Sequence, residues 1–157
     1  MQKIRPFLWF DGKAEEAANF YTAIFPDARI TDVIRYGEGG PGPKGAVMTA
    51  TFTLAGQEFI ALNGGSMFQF TPAISFFVLC ETQAEIDMFW EKLSDGGKVM
   101  QCGWLTDKFG VTWQIVPTGL LEMINDPDVV KSKRTMQAMM QMVKFDIASL
   151  RRAYDGG

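Results

Sequence analysis

The side chains able to carry chemistry are few in this chain, and the most telling count is zero histidines. Neutral imidazole is the usual ligand for zinc, iron, nickel or copper, and the usual general base near neutral pH. Its absence excludes a histidine-based triad and any histidine-containing metal site. A carboxylate-only site would favour magnesium, manganese or calcium. Cys102 precedes Gly103-Trp104 as a nucleophile could, but no histidine can activate it and no neighbouring Lys or Arg is evident. Cys80 and Cys102 could pair; with no secretion signal in MQKIRPFLWF, free thiols in a reducing cytoplasm are expected. Glu15 and Glu16 begin a helix pattern, where carboxylates complement the dipole, and do not report acid–base chemistry.

Two glycine-rich stretches and one amide remain. GEGGPGPKG at 37–45 has the glycines of a phosphate loop without its G-x-x-x-x-G-K-S/T order, and no helix pattern follows. It reads as a mobile hairpin loop, a lid being the functional alternative. Asn63-Gly64-Gly65 either presents backbone N–H groups to an anion or simply ends a strand. Gln114 stands in an apolar run with Val111, Trp113, Ile115 and Val116. Its amide either orients a polar ligand or is a core group satisfied by a neighbouring strand or by Asn63. Trp9, Phe68, Phe70 and Trp104 either wall an apolar pocket or fill ordinary core. Trp113, by parity with Gln114, belongs to the core.

The frame that must position these groups is a chain of 157 residues, 47% hydrophobic and 21% charged, with 13 Phe and 4 Trp. That composition packs a core, as one domain or as two half-domains sharing one. A net charge of −3 without a basic run argues against nucleic acid. No apolar run approaches the roughly 18 residues of a membrane span. Cytoplasmic placement is the expectation.

IRPFLWF at 4–10 reads as a strand and KAEEAANFYTAIF as a helix with Ala14, Ala17, Ala18, Tyr21, Ile24 and Phe25 at helical spacing, stopped by Pro26-Asp27. ARITDVIRY is a strand, and AVMTATFTL with QEFIALN a hairpin turning at Ala55-Gly56. The order β-α-β-β-β then repeats. AISFFVLC is a strand, and TQAEIDMFWEKLSDGG is a helix with Thr82 and Glu85 as a capping box and Gly96-Gly97 as its end. KVMQC, GWLTD and VTWQIVP give three more strands. An echo of Phe20-Tyr21 and Ile24 in Phe89-Trp90 and Leu93 suggests duplication. The predicted class is α+β, with modules at 3–65 and 72–117 and a helical tail at 118–157. In the tail Met136, Met139, Met140 and Val143 form one apolar stripe, and Ile147, Leu150 and Tyr154 another, for packing on the sheet or on a partner subunit.

PFLWFDGKAEEAANFY at 6–21, ALNGG at 61–65, AISF at 73–76 and CGWLTDKFGVTWQIVP at 102–117 resemble the vicinal oxygen chelate superfamily. This is the group of glyoxalase I, extradiol dioxygenases and bleomycin-resistance proteins. Within it the chain looks most similar to the PhnB-like family, also labelled 3-demethylubiquinone 3-methyltransferase-like. The resemblance implies two modules whose curved mixed sheets enclose a cavity with helices outside. In metal-using relatives four strands each offer one ligand, His or Glu, from the concave side.

Strand alternation suggests what stands there in this chain. Arg5, Phe7 and Trp9 would face the cavity, as would Phe59, Ala61 and Asn63, then Ala73, Ser75 and Phe77, and finally Thr112, Gln114 and Val116. The four inherited positions read Arg5 or Phe7, Asn63 or Ala61, Ala73 or Ser75, and Gln114. None is His, Asp or Glu, and the Arg5 charge would repel a divalent ion. No metal and no cofactor are expected.

The expected function is metal-free binding of a small apolar or aromatic molecule. Arg5, Asn63 and Gln114 would give polar contacts, and Trp9, Phe68 and Trp104 the walls. The alternatives are a divalent-metal-dependent isomerase, lyase or dioxygenase of the same superfamily, and an interaction module forming a homodimer through the tail. Methyl transfer is disfavoured, because no glycine-rich strand-to-helix turn followed by an acidic residue is present.

Overall fold

The computed structural model describes residues 2–157. It divides into two compact units, the first ending at Phe70 and the second running from Thr71 to Gly157.

In the first unit, strand β1 (Phe7–Phe10) leads through Asp11-Gly12 into helix α1 (Ala14–Ile24). The buried residues of α1 are Ala14, Ala17, Ala18, Tyr21 and Ile24, all on one stripe, and the alanines let it lie close to a sheet. Strands β2 (Arg29–Arg35), β3 (Val47–Leu54) and β4 (Gln57–Asn63) complete that sheet. Its order is β1-β4-β3-β2. β1 runs parallel to β4 and the other pairs are antiparallel. Ala55 and Gly56 turn the β3–β4 hairpin with φ of 48° and 85°, the handedness that matches the twist of the strands. Beneath α1, Phe52 stacks against Tyr21 and Phe59 at centroid distances of 6.0 and 5.3 Å. Burying one such aromatic side chain is worth about 1.5–3 kcal/mol.

The second unit repeats the plan with β5 (Ser75–Cys80), α2 (Gln83–Ser94), β6 (Lys98–Val99), β7 (Trp104–Thr106) and β8 (Thr112–Pro117). Its order, β5-β8-β7-β6, is that of the first sheet over again. Helix α2 buries Ile86, Phe89 and Leu93. Thr82 Oγ1 caps it by accepting from the Glu85 N–H at 3.1 Å. The Glu85 carboxylate reaches one residue beyond the cap, to the Glu81 N–H at 2.7 Å.

The tail forms α3 (Leu120–Ile124), α4 (Val129–Met140) and α5 (Ile147–Asp155). Val116 at the end of β8 joins Leu120, Met123, Phe145 and Leu150 in one buried cluster. The tail also bonds to the sheet, since the Cys102 and Gly103 N–H groups each donate at 2.8 Å to Met142 O and Val143 O. Gly103 has φ of 80°, and a Cβ there would stand 2.5 Å from the Phe145 ring. The methionine stripe does not pack as a whole. Met139 reaches the cluster, whereas Met136, Met140 and Val143 stay exposed.

Candidate functional site

Each sheet has one face under its helix and one open face, and strand register assigns residues between them. In the first unit Phe7 pairs with Ile60 and Trp9 with Leu62, and Thr53, Thr51 and Thr49 pair with Glu58, Ile60 and Leu62. These residues share the open face. The Trp9 indole N–H donates to Gly65 O at 2.8 Å, and its ring meets Phe68 edge-on at 5.0 Å. Gly64 lies flat against the indole, where a Cβ would come within 2.3 Å. Trp9 and Phe68 are therefore brought together, and Phe68 keeps 59% of its surface exposed. Phe70 instead packs on buried Phe10, at 5.1 Å.

Two sequence expectations change on this unit. Phe59 and Ala61 are buried on the α1 side. Asn63 points the same way, its Oδ1 accepting from the Ala14 N–H at 2.8 Å and its Nδ2 donating to Val47 O at 3.0 Å. Asn63 thus closes the first turn of α1 and faces away from the open side, because β1 places it beside Phe10. The β4 residue that does stand on the open face beside Arg5 is Glu58. Arg5 Nη1 lies 2.6 Å from Glu58 Oε1, so the cation expected to meet a ligand already has a carboxylate partner.

On the second unit the open face is ordered in rows. Gln114 pairs with Phe77 on one side and Trp104 on the other. Its Nε2 donates to Ser75 Oγ at 2.9 Å, so Ser75 and not Asn63 satisfies the amide. Gln114 Oε1 has no hydrogen-bond donor among the described residues. The adjoining row holds Ser75, Thr112 and Thr106, with Lys98 at its edge. Thr112 is 1% exposed and its hydroxyl has no partner among the described residues. Phe77 remains 46% exposed. Beyond Gln114 the face ends at Val116 under the tail cluster.

What holds this face in place is Asp107, which the sequence reading placed only at the end of the strand GWLTD. Its Oδ1 accepts from the Phe109 and Val111 N–H groups at 2.9 and 3.1 Å. Its Oδ2 accepts from the Trp113 indole at 2.9 Å. Trp113 is buried on the α2 side as parity requires, and anchoring it leaves its neighbour Gln114 on the opposite side.

Two clefts are lined by none of Trp9, Phe68, Phe77 and Trp104. One of about 820 Å³ is bounded by Tyr36, Pro41 and Pro43 of the glycine-rich loop and by Asn63, Gly64 and Gly65. There Asn63 is engaged with backbone and Arg35 with Glu15 at 3.4 Å. The other, about 870 Å³, follows α2 past Asp87, Trp90, Glu91, Asp95 and Lys144. There the hydrogen bond from Lys144, and then that from Gln83, holds the Asp87 carboxyl below its ordinary value.

The donor set does not fit a divalent ion. Among the described residues no three Cys, Asp or Glu side chains gather as a metal site. Glu58 is held by Arg5, and Gln114 and Ser75 are neutral and bonded to each other. The Cys80 thiol is not poised for attack. Burial, reinforced by Glu85, pushes Cys80 up to about 12, and Cys102 Sγ lies 3.6 Å from Met139 O.

The model of the 3-demethylubiquinone-9 3-methyltransferase family matches residues 2–116. The chain belongs to that family and is PhnB-like. A PhnB protein from Bacillus cereus is 46% identical over 74% of this chain and 100% of its own, with a TM-score of 0.69. A protein of known structure from Pseudomonas aeruginosa is 21% identical over 74% of this chain and 98% of its own, with a TM-score of 0.62. The fosfomycin resistance protein FosX from Listeria monocytogenes is 15% identical over 78% of this chain and 97% of its own, with a TM-score of 0.54. At such identities the last two share the fold. A search of curated proteins returns no match. In this PhnB-like chain the family match stops at residue 116, so α3–α5 lie beyond it. No helix among the described residues is long and apolar enough to cross a membrane.

Proposed function

We propose that this PhnB-like chain binds a small apolar or aromatic molecule without a metal ion, on the open face of its second unit. The observation that carries the reading is Gln114, a half-buried amide set between Phe77 and Trp104 with its oxygen unengaged. Aromatic walls with one or two fixed polar groups are how small-molecule sites combine affinity with orientation. Trp9 and Phe68 offer a second aromatic surface on the first unit. Arg5 contributes less than Gln114, because an anion would have to displace Glu58.

Binding is favoured over turnover because the rows around Gln114 hold hydroxyls, an amide and rings, with no group that titrates near neutrality. Methyl transfer has equally little support. The connections between β1 and α1 and between β5 and α2 contain a single glycine, Gly12, and so lack a phosphate-cradling turn. Thermal-shift screening of aromatic metabolites and antibiotics, with elemental analysis of the purified protein, tests the reading. Stabilisation by an aromatic ligand at negligible metal content supports it. Stoichiometric metal with chelator-sensitive stability would sink it.

A homodimer is the second proposal, resting on apolar groups left exposed on the tail. Val129, Val130, Met136, Met140 and Val143 are all exposed, and a second copy of the chain would cover them. Sedimentation of wild type against Met140→Lys decides this, a monomer in both discarding the dimer.

A further inference from the structure

The open face of the second unit carries more information than apolar character alone. Ser75 Oγ already accepts the Gln114 Nε2 hydrogen at 2.9 Å, so its own hydrogen is available to a ligand acceptor. Gln114 Oε1 is available to a ligand donor. Ser75 pairs directly with Thr112 across β5 and β8, and the Thr112 hydroxyl is buried with no partner among the described residues. The Thr112 hydroxyl is buried out of a ligand's reach, so Ser75 and Gln114 are the groups of this strip that a ligand would meet.

We infer that the ligand is a planar aromatic compound with an uncharged amide-type edge, a carboxamide or lactam. Its carbonyl accepts from Ser75, its N–H donates to Gln114 Oε1, and its ring lies between Phe77 and Trp104. This rests on the binding reading above and specifies its chemistry. A carboxylate offers no donor to Gln114 Oε1 and would leave water for a neutral, ring-lined surface. The nearest cation in the polar row is Lys98, at the β6 edge and two strand spacings from Thr112, about 10 Å away. An ammonium ligand would satisfy Gln114 Oε1 but not the Ser75 donor.

Three probes with one ring system separate these cases: 2-naphthamide, 2-naphthoate and 2-methylnaphthalene, titrated into the full chain by calorimetry or NMR. The amide is expected to bind about tenfold more tightly than either of the others, the effect of one to two net hydrogen bonds. Gln114→Leu and Ser75→Ala are each expected to remove that advantage, read as the ratio of 2-naphthamide to 2-methylnaphthalene affinity within each variant. Two separate variants guard against one that misfolds, and circular dichroism checks both. Equal binding of all three probes, or preference for the naphthoate, overturns the inference and leaves the aromatic-binding reading standing. No binding by any probe overturns both.

Discussion

The indole nitrogen of Trp113 donates to Oδ2 of Asp107 at 2.9 Å, tying the middle of β8 to the turn that precedes it. The other oxygen of the same carboxylate takes the Phe109 and Val111 N–H groups. Three donors therefore depend on one buried charge. Asp107→Ala should cost about 2–4 kcal/mol, because it strands those donors together. Asp107→Asn keeps an acceptor and should cost less. Urea unfolding of both variants measures the difference, and a loss below about 1 kcal/mol for the alanine would contradict the geometry.

Asn63 joins β4 to the first turn of α1 through the Ala14 N–H and to β3 through Val47 O. Asn63→Ala should lower stability by about 1–2 kcal/mol, as loss of a helix cap does. Asn63→Asp should recover part of that, since its oxygen still accepts from Ala14. If aspartate proves no better than alanine, the capping role is wrong.

Gly103 has φ of 80° and leaves room for the Phe145 ring. Gly103→Ala adds backbone strain and a clash, for an expected loss of about 1–3 kcal/mol. The effect should centre on the tail, so hydrogen exchange should accelerate in α4 and α5 before it does in β5 or α2. Uniform acceleration would argue that the tail does not depend on this contact.

Tyr154 donates its hydroxyl to Asp126, linking α5 to the end of α3. That bond, followed by the Asp128 N–H, holds the Asp126 carboxyl below its ordinary 3.8, and the same bond raises the Tyr154 phenol above 10.0. A lowered carboxylate stabilises the fold above its ordinary value and stops doing so as pH falls through the folded value. A raised phenol stabilises below its ordinary value, an effect lost as pH climbs through the folded one. Tyr154→Phe should therefore move the acid end of a pH–ellipticity curve to higher pH. An unchanged acid limb would show that the pair does not couple to folding.

Cys80 is buried and pushed up to about 12, while Cys102 is half-buried. An aromatic disulfide reagent at pH 8 should label Cys102 first and reach Cys80 only on unfolding. Mass spectrometry of the labelled peptides checks the order.

Much of this architecture is legible in the residues alone. The alanine stripe of α1, the Thr82 cap, the Ala55-Gly56 turn and the duplicated β-α-β-β-β order follow from local periodicity and turn chemistry, which need no tertiary contact. So does the facing of β8, because Trp113 and Ile115 contrast with Gln114 and Thr112 across the strand. The absence of histidine excluded whole classes of chemistry before any fold was known.

QEFIALN behaves differently. Phe59 and Ala61 on one side, and Ile60 and Leu62 on the other, are all apolar, so alternation there carries no sign. Only the parallel pairing with β1 and the seat of α1 decide that Asn63 caps a helix and Glu58 meets Arg5. The partners of Arg5 and Gln114 lie 53 and 39 residues away, a separation local pattern cannot span. Composition and period settled which elements form; packing between distant strands settled which polar groups already have partners.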